Sequence, residues 1–335
     1  MIRKATIADI WMAWQKPRSV VMFYHEAMLA TARRPAWFVV RALIEAAARD
    51  GAAQVYRDRG VQAFVRAEGR RGRPEHDIVM LATYGGGPGS PTDPDVWFRL
   101  LESLCATAAR DGIQRFYAAL PETPDELREV FRQVGFHCYT RQMVLHLDGP
   151  DLDQRTTIAP MRPQSRRDVW GVHRLYGATT PHPVQLAEVR SARDWQLPIA
   201  RSLSTTRRAW VLGRDDELAA SLQLVSGQTA HVLTLIVRPD QRDIVGDVLR
   251  FGLGQVTDTS PVYLILREYQ QELLAPAADL GFEPLGEQHL VARQGTVPVR
   301  RLFASALRRH AEPRRPIPTT ASLHDEVTPY ARSSR

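Results

Sequence analysis

Two side chains of this 335-residue sequence have the chemistry to move a proton beside a buried strand. His231 opens an apolar run that reads as such a strand, and Tyr269 follows the next apolar run. An imidazole is the commonest general base near neutral pH, and a phenol is a proton donor of higher pKa. Each also has a plainer reading, as a satisfied histidine at a strand start and as a loop hydroxyl. A second titratable group, Glu68, Glu75, His76 and Asp77, precedes or begins an earlier apolar run. It stands among Arg66, Arg70, Arg71 and Arg73, which is the composition of a solvated ion-pair cluster. Cys105 falls on the apolar face of a helix and reads as a small hydrophobe. Cys138 lies on a strand with no histidine beside it in sequence to activate it. No Cys/His cluster has metal-ligand spacing, so no metal is expected.

The elements that would position these groups occur twice. Ile2-Arg3 through Asp9-Ile10-Trp11 matches Met161-Arg162 through Asp168-Val169-Trp170 without gaps. Val134-Gly135-Phe136 matches Leu280-Gly281-Phe282, and Glu126-Leu127 and Glu272-Leu273 keep the same spacing upstream. Each copy reads as strand, helices, strands, helix, strand, helix, strand. In the first copy Pro35–Ala48 has helical apolar spacing, and Asp58-Arg59-Gly60 joins two strands as a hairpin. Residues 78–83 form a continuous apolar run suited to a central strand. Asp93-Pro94 starts the helix after it, with Asp93 as N-cap. In the second copy His231–Val237 is the central strand, residues 244–256 the helix after it and Val262–Arg267 the next strand. The aromatic-rich start, with Trp11, Trp14, Phe23, Tyr24, Trp37 and Phe38, reads as core packing rather than as a pocket. The expected domains are residues 1–148 and 159–297, joined by a linker at 149–158. Residues 298–335 read as a basic, disordered tail.

The formal net charge of +7 invites a nucleic-acid reading, but the tail alone carries eight arginines against Glu312, Asp325 and Glu326. The domains are then close to neutral, which weighs against nucleic acid as a partner. No apolar run reaches membrane-spanning length, no secretory signal opens the chain, and two cysteines make no disulfide framework. A cytoplasmic protein, monomer or homodimer, is expected.

The repeated order of elements, each ending in a helix, Gly-Phe and a final strand, resembles the GNAT acyl-CoA N-acetyltransferase superfamily. The resemblance covers nearly all of residues 1–297. It implies an α/β fold of two tandem GNAT-like domains, each a mixed, mostly antiparallel sheet flanked by helices. It also implies acetyl-CoA or another acyl-CoA as co-substrate and a small amine or peptide N-terminus as acceptor. In such a fold the pyrophosphate sits on the N-terminus of the helix after the central strand, where free N–H groups and the helix dipole favour anions. That place is Gln241-Arg242-Asp243-Ile244-Val245-Gly246, after Val237. Gln241 and Gly246 fit the family's Gln/Arg-x-x-Gly/Ala-x-Gly/Ala pattern, whereas Ile244 stands where a small residue is usual. In the first copy the place is the turn Gly85-Gly86-Gly87-Pro88-Gly89, which lacks the Gln or Arg and reads as a plain turn. The family's frequent Tyr four residues before Gly-Phe is Phe131 in one copy and Ala277 in the other. Its frequent Asn seven residues earlier is Pro124 and Gln270. Two outcomes stay open: an acyltransferase with its cofactor in the second copy, or a non-catalytic protein on the same fold that serves as scaffold or ligand sensor.

Overall fold

Among the described residues the apolar runs fold as thirteen strands in one sheet. In the first half these are β1 (Ile2–Lys4), β2 (Ser19–Met22), β3 (Gly51–Asp58), β4 (Val61–Gly69), β5 (Glu75–Gly85), β6 (Arg115–Pro121) and β7 (His137–Leu147). The second half supplies β8 (Arg162–Pro163), β9 (Thr206–Arg214), β10 (Glu217–Ser226), β11 (His231–Val237), β12 (Val262–Arg267) and β13 (Glu283–Gln294). The helices are α1 (Glu26–Leu29), α2 (Asp93–Arg110), α3 (Asp125–Gln133), α4 (Val169–Thr179), α5 (His182–Glu188), α6 (Val245–Gly254) and α7 (Leu274–Ala278). This computed structural model describes residues 1–31, 37, 39–40, 51–70, 72–87, 90–122, 125–149, 161–197, 205–214 and 217–295. Most of the expected 35–48 helix, nearly all of the 149–158 linker and the whole 298–335 tail lie outside them. No helix of the described residues is long and apolar enough to cross a membrane.

Local chemistry explains the element ends. Arg59 and Gly60 both take positive φ, 46° and 76°, as a two-residue hairpin between β3 and β4 requires. Thr92, not Asp93, is the N-cap of α2; Asp93 falls in the first turn, where its charge meets the helix dipole. The first copy's opening helix forms as a 3₁₀ helix over Ile7–Trp14. Trp14 on it is exposed, so the core-packing expectation fails there, whereas Phe23 is fully buried.

The sequence repeat is reproduced in three dimensions, down to its hydrogen bonds. Arg3 grips Asp9 through two bonds of 2.7 Å, and Arg162 grips Asp168 through bonds of 2.8 and 2.6 Å. The backbone N–H groups of Thr6 and Ser165 donate to the same aspartates at 2.9 and 2.7 Å. At the other end, Gly135 and Gly281 take φ of 95° and 85°. Each lets the next Phe N–H reach back to a helix carbonyl, Phe131 in one copy and Ala277 in the other.

The sheet runs β1-β3-β4-β5-β6-β13-β7-β12-β11-β10-β9-β8, with β2 added on β5. The last strands of the two copies are exchanged. β13 of the second half pairs with β6 of the first, and β7 of the first pairs with β12 of the second. The exchange reaches the cores. Val291 of β13 packs in the cluster under α2 and α3, and Leu145 of β7 packs in the cluster under α6. A fragment of residues 150–297 therefore lacks the strand that covers β12. It is expected to be unfolded or to associate through that bare edge. Circular dichroism and sedimentation of the fragment check this; a folded monomer would contradict it.

Candidate functional site

Two parallel strand pairs open as they run. β5 and β6 pair only at Glu75–Asp77 with Arg115–Tyr117, and β11 and β12 only at His231–Thr234 with Val262–Ile265. Beyond these points the strands diverge, and the freed edge of the longer strand faces a wedge.

The two wedges differ. In the first half β2 enters the wedge and pairs with β5, Ser19–Met22 against Met80–Thr83. Arg18 N–H donates to the Thr83 carbonyl at 2.7 Å and Phe23 N–H to that of Val79 at 3.0 Å. The Phe23 ring then stands 5.4 Å from the Phe131 ring in a T-shaped contact. The first wedge is filled by the chain itself. In the second half no strand among the described residues pairs with Leu235–Val237 on that edge. The buried Gln270 carboxamide spans the gap instead. It donates to the Leu235 carbonyl at 2.9 Å and accepts from Arg267 N–H at 3.0 Å.

The turn from β11 to α6 is a 3₁₀ segment, Pro239–Ile244, broken at Gln241. Val237 and Val245 bury their side chains in the second core, and Ile244 packs on it. Their part in any ligand contact falls to the backbone. Gln241 N–H donates to the Arg238 carbonyl, and Arg242 pairs with Glu272 at 3.2 Å. Gly246 is the second residue of α6. A Cβ placed there would meet only the flexible end of Arg250, at 3.4 Å, so no packing need explains this glycine. The glycine turn of the first half contrasts with it. Gly86 N–H donates to Gly60, Gly87 N–H to the Ser90 hydroxyl, and a Cβ on Gly85 would lie 2.5 Å from the Gly60 carbonyl. Gly85 and Gly86 pack against the β3–β4 hairpin turn, and Gly87 closes a local turn with Ser90.

The two proton-moving candidates are far apart. His231 lies at the closed end of β11, about 20 Å along the strand from Val237. Its ring nitrogens sit 2.9 Å from the Ser226 hydroxyl and 3.0 Å from Asp258, and the residue is buried. Tyr269 is at the open end, two residues past β12, with its hydroxyl 3.5 Å from that of Thr180. Burial pushes its phenol pKa up, against the charge of Arg267.

Tyr269 belongs to a polar cleft over the middle of the sheet. Paired residues share a face, so Tyr117 lies with Asp77, and Gln142 with Gln288 and Arg267. Two segments cross this face. Residues 24–30 come from the first half and reach the second, where Ala30 packs on Val225, Val232 and Ile265. The end of α5 comes from the second half and reaches the first. Tyr117 donates to the Ala187 carbonyl at 2.9 Å, and Arg73 donates to those of Glu188 and Val189 at 2.8 and 3.0 Å. Val189 is held at φ 45°, a costly setting for a β-branched residue. The turn carries Glu188 and Arg190 on either side of it.

Glu188 is the hub. Its buried carboxylate accepts from Tyr176 at 3.0 Å, Arg190 Nε at 2.8 Å and Arg267 Nη2 at 3.1 Å. Burial pushes its pKa up, but the charges of Arg190 and Arg267 and the Tyr176 bond outweigh this and hold it at about 2. Burial, then the Glu188 charge, raises the Tyr139 phenol, which faces the same arginines. Arg70 and Arg190 keep 30% of their side-chain surface accessible and Arg267 19%, so water reaches this recess.

None of Tyr139, Tyr176, Glu188 or Arg190 stands out in the sequence, because their contacts are tertiary, and Tyr139 of the first half joins the others only through the pairing of β7 with β12. The Glu75 cluster forms ion pairs as expected, with Arg73 at 2.7 Å and Arg115 at 3.3 Å. It is not solvated, however: Glu75 and His76 are buried, sealed in where β5 meets β6. Cys138 does gain a histidine, with His289 Nδ1 3.9 Å away across the sheet. Burial raises the thiol pKa, which keeps it protonated.

An antiparallel run of strands, one splayed parallel pair, a helix from its open end and a closing Gly-Phe strand define a GNAT-like copy. This chain holds two, joined by exchanged strands. Solved structures similar to it include a tandem GNAT protein from the clavulanic acid biosynthesis pathway, 14% identical over 88% of this chain and 98% of that one, with a TM-score of 0.45. A GCN5-related N-acetyltransferase from Sphaerobacter thermophilus is 11% identical over 88% and 95%, with a TM-score of 0.49. One from Anabaena variabilis is 12% identical over 89% and 73%, with a TM-score of 0.43. No family model matches the sequence, and no curated protein matches it. These are likenesses of fold; the functional reading rests on the side chains above.

Proposed function

We propose that the chain is an acyl-CoA-dependent N-acyltransferase whose only working cofactor seat is the C-terminal wedge. The asymmetry of the wedges carries this reading. β2 consumes the hydrogen-bonding edge of β5, whereas the matching edge of β11 is crossed by one side chain, Gln270. The acyl-CoA arm would lie along Leu235–Val237, with its pyrophosphate at the Gln241–Gly246 turn. Displacing the Gln270 amide would free the Leu235 carbonyl for an amide of the arm.

The acceptor, a small amine or peptide N-terminus, would enter from the central cleft. Its nitrogen attacks the thioester carbonyl; the C–N bond forms, the C–S bond breaks, and the sulfur leaves as thiolate. Tyr269, kept protonated by burial, holds a proton for that sulfur. His231 is too far away to be the base. Glu188, held at about 2, is too weak a base to take the amine proton, which goes to water in the cleft. The rate is then expected to rise with pH until the acceptor's own amine is deprotonated. A plateau at one pH for acceptors of different amine pKa would assign the base to a protein group instead.

Gln270 also supports a second reading, a non-catalytic ligand sensor in which this bridge has closed the seat for good. Calorimetric titration of the full chain with acetyl-CoA separates the two. One-site binding in the micromolar range supports the enzyme. Absence of binding supports the sensor.

A further inference from the structure

The cleft beside the C-terminal wedge holds more guanidinium than carboxylate. Glu188 is the one carboxylate hydrogen-bonded to Arg190 and Arg267 among the described residues. Glu26 also acts on both by charge but is itself paired with Arg207 at 2.9 Å, and Arg70 is held by Asp77 in a two-bond pair of 2.6 and 2.8 Å. Arg267 donates to Glu188 through Nη2, but its Nη1 is buried and has no hydrogen-bond partner among the described residues. A buried guanidinium nitrogen without an acceptor is costly, so an acceptor from outside the chain is the natural complement. Arg190 gives Glu188 only its Nε, and its guanidinium stands over the Tyr176 and Trp195 rings at 5.6 and 5.0 Å. No hydrogen bond from its terminal nitrogens occurs among the described residues. The Tyr139 phenol, in the field of the same arginines, likewise has no bonded partner there. Around Glu188 at the end of β12, two residues before Tyr269, these donor atoms are therefore left without acceptors among the described residues. The strained turn at Val189 adds to this, since it presents Arg190 to the cleft beside the helix that ends in Glu188.

We propose that this cleft binds the carboxylate of the acceptor, so that the substrate class is amines that carry a carboxyl group, as amino acids do. The carboxylate would accept from Arg267 Nη1, the terminal nitrogens of Arg190 and the Tyr139 hydroxyl. A bare amine would leave those donors unmet, which is the stronger source of discrimination. This assignment of substrate rests on the acyltransferase reading; the anion site itself does not.

The test uses matched probes on the full chain. L-leucine is compared with 3-methylbutylamine and L-phenylalanine with phenethylamine, by calorimetry without acyl-CoA and by turnover with acetyl-CoA. Each amino acid is expected to bind about tenfold or more tighter than its decarboxylated partner. Arg267→Lys keeps the charge beside Glu188 but removes the second nitrogen. It should lower the preference by a similar factor while leaving acetyl-CoA affinity unchanged. Equal binding of acid and amine, no binding of either amino acid, or a preference that survives Arg267→Lys would overturn the site. If amino acids are preferred but acetyl-CoA neither binds nor turns over, the anion site stands and the acyltransferase reading falls. If acetyl-CoA binds and no carboxylate preference appears, the reverse holds.

Discussion

Glu188→Gln is expected to destabilise the protein by about 3–5 kcal/mol, the usual effect of removing one partner from a buried ion pair. The residue is buried and is the shared partner of Arg190 and Arg267. The amide keeps the shape but leaves two guanidiniums without a counter-charge, and a Tyr176 donor with a weaker acceptor. Because the cleft is built from both halves, the loss should appear as a lower midpoint of one transition rather than as selective melting of one half. Its pH dependence has a defined sign. The carboxyl pKa is depressed from 4.5 to about 2 on folding, so the stabilisation is complete above about 4.5 and is lost as pH falls toward 2. The gap in thermal midpoint between wild type and variant should therefore be wide at pH 7 and narrow by pH 3. A gap that stays constant across this range would show that Glu188 acts by shape and not by charge.

Gly246→Asp should weaken acetyl-CoA binding by about a hundredfold, the effect of losing one or two charge-assisted contacts and adding a like charge. The fold should not suffer. The added Cβ meets only the end of Arg250. The substitution also replaces a helix glycine and puts an acid in the first turn of α6, both stabilising by a few tenths to about 1 kcal/mol. The expected signature is thus opposed: a thermal midpoint equal to or above wild type, with acetyl-CoA affinity lowered about a hundredfold. Ser90→Asp in the glycine turn of the first half is the control. There the turn closes on itself and the wedge is filled, so affinity should not change. Unchanged affinity in Gly246→Asp would remove the β11–α6 turn from the site. Loss in both variants would point to long-range charge rather than to a local seat.

Much of the fold was legible because its signals are local. The Arg-x5-Asp opening at residues 3–9 and 162–168 is a capping and ion-pair motif that needs only its own residues, and it recurs with the same bonds. Gly135 and Gly281 end their helices through a backbone conformation that glycine takes at no steric cost. The central strand at 231–237 and the next at 262–267 follow from unbroken apolar runs between turn residues. The placement of Tyr269 at the open end of β12 follows from the same pattern.

What only the tertiary structure decided depends on partners far apart in sequence. β2 is four residues long, Ser-Val-Val-Met, with nothing in its pattern to say that it fills a wedge on β5 some sixty residues later. The order β6-β13-β7-β12 is equally silent in the sequence, since either last strand has the alternation needed to pair with its own copy or with the other. That choice brings Tyr139 of β7 beside Glu188, Arg190 and Arg267, while the parallel register of β11 and β12 separates His231 from them. The sequence by itself determined two copies of one fold, because the capping and turn signals that mark each copy are local. Long-range pairing decided which wedge a strand fills among the described residues and which charges lie near the other, because hydrogen-bond edges and buried charges are satisfied only across the whole sheet.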